Sequence, residues 1–369
     1  MPEGNPPQSR LRSLDGFRGA TIAGMILVNN PGSWGHVYPA LLHAPWHGWT
    51  PTDLIFPFFL FIVGVAIPFS LGKRVAAGAS GRALLLRVLR RSAVLVLLGL
   101  FLAAFPFTDL GALRWPGVLQ RIGVVYLVSG AAFLWLGKRG LAWLTAFCLV
   151  AFAAVMRWIP APGGAAGDLE PGTNIAAWLD RLLLGPNLYQ GTWDPEGVLS
   201  TLPAVASALI GVFAGLWLRS RRDFMTRTAG LLAGGFILLT AGWIWSFWLP
   251  INKNLWTSSY VLFTGGIALS FLAIFALALD RGAAPRGTGP LEAMGRNAIG
   301  IFVGSGLLAK TLLVFPEPGA GSAWTRIWEV GFATWLGPRN GSLAFALTAV
   351  ALATLVAVLL DRKRIYFKV

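Results

Sequence analysis

Apolar runs approaching the roughly 20 residues that cross a bilayer core recur along the whole chain, separated by short charged or Gly/Pro-rich connectors. In hydrocarbon every backbone N–H and C=O must be satisfied internally, so such runs can only be helices packed against one another. With 56% of residues hydrophobic and 12% charged, the chain exceeds the apolar content of about 45–50% found in soluble domains. The runs and their breakers predict an all-α, polytopic membrane bundle of about ten transmembrane helices. These lie near residues 14–30, 52–71, 91–107, 118–136, 141–157, 199–218, 229–249, 256–279, 295–315 and 341–360.

The net charge of +15 would point to nucleic acid in a soluble protein, but here its distribution has another cause. With the N-terminus in the cytoplasm, 22 of the 30 basic residues fall in inner connectors, which is the positive-inside pattern and places both termini in the cytoplasm. The expected layout is a cytoplasmic tail over 1–12, a membrane domain over 13–361 and a second cytoplasmic tail over 362–369. The start MPEGNPPQSR is polar and Pro-rich and no small-residue cleavage pattern follows it, so the first helix is expected to be retained. The single cysteine, Cys148, lies within an apolar run and excludes an intrachain disulfide.

Two outer connectors stand out. The segment 158–198 is acidic and Gly/Pro-rich, with a short surface helix predicted near 174–184, and reads as an outer cap; the segment 316–340 is Gly-rich and aromatic. Fourteen of the 17 tryptophans fall on the outer side. An interfacial belt accounts for rings at both membrane faces, whereas a lopsided set also fits stacking on a sugar or lipid.

The densest polar cluster runs from Ser13 to Gly64 and holds all three histidines, His36, His43 and His47, in an otherwise apolar, aromatic loop. Histidine suits proton removal near neutral pH, so one of these is a candidate general base, and each is equally a candidate for a local hydrogen bond. Their irregular spacing, with no Cys or Glu partner nearby, argues against a zinc site. Thr50, Pro51, Thr52 and Asp53 match a helix start with a capping box, and the same carboxylate could orient a neighbouring base. Asp15 and Arg18 are three apart on one helix face and can pair. Gln120 and Arg121 begin the fourth helix, and NKNLWTSSY gathers polar groups, Asn254 among them, around Trp256. Ionisable groups within membrane helices are functional candidates by default.

The pattern RLRSLDGFRG, then VNNPG, then LLHAPWHGWTPTDLIFPFFLFIVGVAI resembles the heparan-alpha-glucosaminide N-acetyltransferase family, including its bacterial relatives. RWPGVLQRIGVVYL, KNLWTSSYVL and GRNAIGIFV follow in family order, so the resemblance covers nearly the whole chain. It implies a transmembrane acetyltransferase in the inner (plasma) membrane. Such an enzyme takes acetyl-CoA from the cytoplasm and acetylates an amino sugar of the glucosamine type, or a glycan, on the other side, with no metal and with a homodimer as a reasonable assembly. In the family motif H-x-x-W-x-G-x-T-x-x-D the active-site histidine corresponds to His43, followed by Trp46, Gly48, Thr50 and Asp53. The asparagine associated with the active site corresponds to Asn29. Pro45 and His47 depart from the motif's usual small residue and asparagine, and the large outer domain of the animal enzymes does not precede this sequence.

On this reading His43, Asn29 and Asp53 carry catalysis, with His43 as general base or transient acetyl carrier. Trp46, Trp256, Asn254 and Gln120 are assigned to the substrate, and Asp15, Arg18 and Arg121 to the cofactor. A tunnel through the bundle would bring the thioester to the histidine. Polar groups inside such a bundle equally fit a transporter or flippase for a glycan or lipid precursor, and a membrane scaffold is a third reading.

Overall fold

The computed structural model describes residues 11–282, 287–316 and 321–367, and among these the fold is entirely helical. The long helices are α1 (Arg12–Asn29), α2 (Ile55–Ala76), α3 (Gly81–Ala104), α4 (Val118–Trp135) and α5 (Lys138–Trp158). A short α6 (Ile175–Leu184) precedes α7 (Val198–Leu218), α8 (Phe224–Trp245) and α9 (Ser258–Leu279). The chain ends with α10 (Gly289–Arg296), α11 (Ala298–Val314), the short α12 (Ala323–Trp328) and α13 (Thr334–Leu336), and α14 (Pro338–Arg362).

Seven of these helices are long and apolar enough to cross a membrane, and α10 with α11, bent by 82° at Asn297, make an eighth candidate. The expected count of about ten included α1 and α3, which fall outside that set because charge is concentrated in their first turns. Arg12, Asp15 and Arg18 lie in α1, and Arg82, Arg87, Arg90 and Arg91 in α3. Those arginines were expected in a connector, with the helix starting near 91. The Ser80 hydroxyl instead accepts from the Ala83 amide at 3.3 Å and starts the helix at Gly81. Asp223 similarly caps Thr226 at 2.9 Å and starts α8 five residues before the apolar run. The predicted single helix over 295–315 is broken by the Asn297 bend, whereas α6 falls within a residue of its expected place.

One continuous apolar core runs through α1, α2, α4, α7 and α9. The α2–α7 crossing is its tightest seam. A Cβ added to Gly64 would lie 1.9 Å from the Ala208 carbonyl oxygen, and one on Gly211 would lie 2.1 Å from that of Phe61. Small residues let the two backbones touch, which in an apolar solvent is where packing energy is gained. The outer faces are conversely apolar and exposed, with Trp143, Phe236, Phe247 and Trp335 all projecting outward. An exterior of this kind fits a bilayer.

The 158–198 connector folds against the bundle. Arg114 makes ion pairs with Asp194 and Glu196, the Arg181 guanidinium donates to Gly172 O and Thr192 O, and the Trp46 indole donates to Leu169 O at 2.9 Å. Asp180 of α6 accepts from the Val198 amide at 2.8 Å, joining this cap to the start of α7. Burial pushes the Asp180 carboxyl up to about 6, against the opposing hydrogen bond from Val198.

Two outcomes follow from this packing. Gly211→Val should cost about 1–3 kcal/mol or prevent folding, read as a lower Tm by tryptophan fluorescence in detergent, because the Phe61 backbone cannot retreat from α7. The folded protein binds the Asp180 proton more tightly than the unfolded chain. Stability from this group is therefore present below the ordinary carboxylate range and falls as pH rises from about 4 to about 6. Asp180→Asn, which can still accept from Val198, should flatten the Tm profile over that window.

Candidate active site

The turn Pro51–Leu54 opens α2, and its acid both closes a capping box and holds the His43 ring. Asp53 donates its amide to Thr50 O at 2.9 Å, while its Oδ2 accepts from the Thr50 amide at 2.9 Å and the Thr50 hydroxyl at 3.2 Å. The same Oδ2 accepts from the Ala44 amide at 3.0 Å, and Oδ1 accepts from His43 Nδ1–H at 2.6 Å. The carboxylate is 1% exposed and the imidazole 47% exposed. A buried, fully bonded anion therefore holds a half-exposed ring by Nδ1 and leaves Nε2 without a carboxylate partner, the arrangement by which a carboxylate orients a general base.

A second element closes on this pair. Between α8 and α9 the segment Asn252–Thr257 is a hydrogen-bonded loop: Asn252 Oδ1 accepts from the Leu255 amide at 2.9 Å, Thr257 Oγ1 from the Asn252 amide at 3.0 Å, and Asn252 O from the Thr257 amide at 3.1 Å. Trp256 adopts a left-handed conformation, with φ of 56°, and is fully buried. Lys253 leaves this loop towards His43, its Nζ 3.2 Å from Nδ1, 3.1 Å from Nε2 and 4.0 Å from Asp53 Oδ1. Burial draws the Lys253 ammonium below its ordinary value, opposed by Glu196 and Asp53. Tyr260, one helical turn further, donates its hydroxyl to Asp53 O at 2.5 Å and so ties α9 to the start of α2.

The remaining expected residues are distributed unequally. Trp256 packs edge-on against Phe56 and Tyr260 and donates to Ser207 Oγ at 3.1 Å, so its ring is core and not free to stack on a substrate. Arg121, expected at the cofactor, lies instead at the histidine end of the bundle. It donates to Gly197 O at 3.0 Å and to Ser200, with its guanidinium 5.2 Å from the Trp256 ring centre. Gln120 is buried against the backbones of Gly99 and Gly117. Trp46 is half-buried, edge-on to Trp193 at 5.0 Å, and fastens the cap. Asn254 is half-buried and makes no side-chain hydrogen bond among the described residues. Asn29 is exposed at the end of α1, and no hydrogen bond joins it to His43; its neighbour Asn30 is the buried one, bonded to Ile26 O at 2.8 Å.

The other two histidines have separate partners. His36 stacks on Trp328 at 5.8 Å, and the Asn252 side-chain Nδ2 donates to His47 Nδ1 at 3.3 Å. Burial lowers the His47 imidazole from its ordinary value, with Glu170 opposing.

Arg18 and Asp15 do pair, at 3.2 Å, and Arg18 lines a cavity of about 370 Å³. Arg91 and Arg296 line it too, together with an apolar wall that includes Ile22, Phe59, Ile62 and Ile122. Its lining on α2 begins at Phe59, six residues beyond Asp53, which is about 9 Å along a helix at 1.5 Å per residue. The volume is within the range of about 300–1,000 Å³ usual for small-molecule sites.

Lys253 and Tyr260 are the residues that sequence reasoning passed over. A usable signal for the lysine was its place: it lies in a connector on the side of the bundle otherwise poor in basic residues, within the NKNLWTSSY segment already noted.

Residues 10–110 match the family model described as "Domain of unknown function (DUF5009)". Over 421 residues, covering 98% of this chain and 61% of the relative, the chain is 32% identical to heparan-alpha-glucosaminide N-acetyltransferase of Mus musculus. It is 31% identical to the protein of that name from Homo sapiens over 425 residues, 99% of this chain and 60% of the relative. The chain thus spans about three-fifths of the length of these curated homologues, and the alignment takes in every element of the site just described.

Proposed function

From a homology that runs the length of the chain, we propose that this protein is a membrane acetyltransferase that moves an acetyl group from acetyl-CoA to an amino sugar of the glucosamine type or to a glycan. The observation that carries the reading is the buried Asp53 carboxylate holding a half-exposed His43 by Nδ1. In direct transfer, Nε2 takes a proton from the acceptor amine as that amine attacks the thioester carbonyl. In a two-step route, Nε2 is itself acetylated and passes the group on. Both need the neutral tautomer that Asp53 fixes.

The cavity between Arg18 and Phe59 supplies a place for the donor. Its basic end, Arg18, Arg91 and Arg296, suits the phosphates of the coenzyme, with Asp15 steadying Arg18. Its apolar wall suits the pantetheine arm. Phe56 lies in the interval of α2 between Phe59 and Asp53, packed on Trp256 at 5.0 Å, so bringing the thioester to His43 requires this layer to yield.

Counting α1 and α3 as spans alongside the eight candidates gives ten, and both are packed as spans would be: α1 among α2, α9, α10 and α14, and α3 along α4. In that topology the basic mouth faces the cytoplasm, both termini are cytoplasmic and His43 faces the far side of the inner membrane, where the glycan acceptor is met.

Purified protein given radiolabelled acetyl-CoA and glucosamine should transfer label, His43→Ala should abolish transfer, and Asp53→Asn should reduce kcat by on the order of 10³-fold while the fold is kept. Replacing Arg18 or Arg296 with methionine should raise KM for acetyl-CoA with kcat nearly unchanged. Absence of both transfer and acetyl-CoA binding in the wild type would favour the transporter reading instead.

A further inference from the structure

We infer that Lys253 is a catalytic residue at this centre, its ammonium holding the oxyanion that forms on the acetyl carbonyl when His43 acts. The argument rests on the acetyltransferase reading and on three features of the site. An ammonium can only donate hydrogen bonds. Its Nζ lies 3.1 Å from His43 Nε2 and 3.2 Å from Nδ1, against the imidazole and beside the atom at which the acceptor proton would be taken. Its N–H groups are thereby placed to meet a carbonyl oxygen arriving at the same place.

Position is enforced from the loop. Asn252 and Thr257 lock the segment, and Trp256, buried in its left-handed conformation, pins it to the core, so the backbone that carries Lys253 is held against the histidine loop. Its side chain is 15% exposed, and donors act most strongly on developing charge where water is excluded. Asn29, the other polar residue assigned to catalysis, is exposed at the end of α1 and makes no hydrogen bond to His43.

The step balances without a further reactant. As the acceptor nitrogen bonds to the acetyl carbon, His43 Nε2 takes its proton and the carbonyl electron pair moves onto oxygen, facing Lys253. Collapse reforms the carbonyl and breaks the carbon–sulfur bond, and the departing thiolate takes the proton from His43. Lys253 stays charged throughout. Asp53 Oδ1 lies 4.0 Å from it, and Glu196 and Arg121 are the other charges that act on the lysine.

The test uses Lys253→Met and Lys253→Arg in the full-length protein, each checked for native elution and tryptophan fluorescence. Acetyl transfer is followed as kcat and KM. Lys253→Met should lower kcat about 10²-fold with KM for acetyl-CoA little changed, because a donor to the oxyanion has been removed. Lys253→Arg should recover at least tenfold of the lost rate. Full kcat in Lys253→Met would overturn the assignment while leaving the acetyltransferase standing. A wild type that transfers nothing would overturn both.

Discussion

A carboxylate buried in an apolar bundle is expensive unless every lone-pair direction is met, and the arrangement around Asp53 is the solution to that problem. Its oxygens collect the amides of Ala44 and Thr50, the Thr50 hydroxyl and His43 Nδ1–H, all from the ten residues that precede it. The loop is thereby wound onto the start of α2, and the histidine is presented by a short-range framework that owes little to distant parts of the chain. Capping a helix and holding an imidazole by Nδ1 are here one set of hydrogen bonds.

The bundle adds what that framework lacks. The Gly64/Gly211 seam fixes α2 against α7, and Tyr260 fixes α9 against the first turn of α2. This sets the Asn252–Thr257 loop over the imidazole and brings Lys253 onto it. The same crossing leaves α1, α2 and α4 apart below the site, and the gap between them is the cavity that runs from Arg18 to Phe59. Histidine end and arginine end are thus two faces of one helix arrangement, separated by the Phe56–Trp256 layer.

Much of this was legible in the sequence for reasons of scale. Apolar runs of bilayer length announce their helices, and α4, α5, α7 and α9 fall within a few residues of expectation. Helix starts set by a single cap are harder, because Ser80 and Asp223 lie among charges that the hydropathy pattern reads as connector. The Thr50–Asp53 signature was readable because capping is local. The surroundings of Trp256, Arg121 and Asn29 were not, since an aromatic or polar residue in a motif can face core, ligand or solvent, and only its neighbours from other helices decide which.

The sequence by itself determined that this chain is a bundle of membrane-length helices, that charge is segregated along it, and that His43 and Asp53 form one unit. Each of these depends on interactions within about one helix or one loop. The tertiary structure alone decided that Lys253, 210 positions away from His43, shares its imidazole, that Trp256 is core, and that Arg121 and Arg18 lie at different ends of the site. Those facts follow from how α2, α4, α7 and α9 cross, and crossing geometry is set by the summed fit of small and large residues across every seam rather than by any motif.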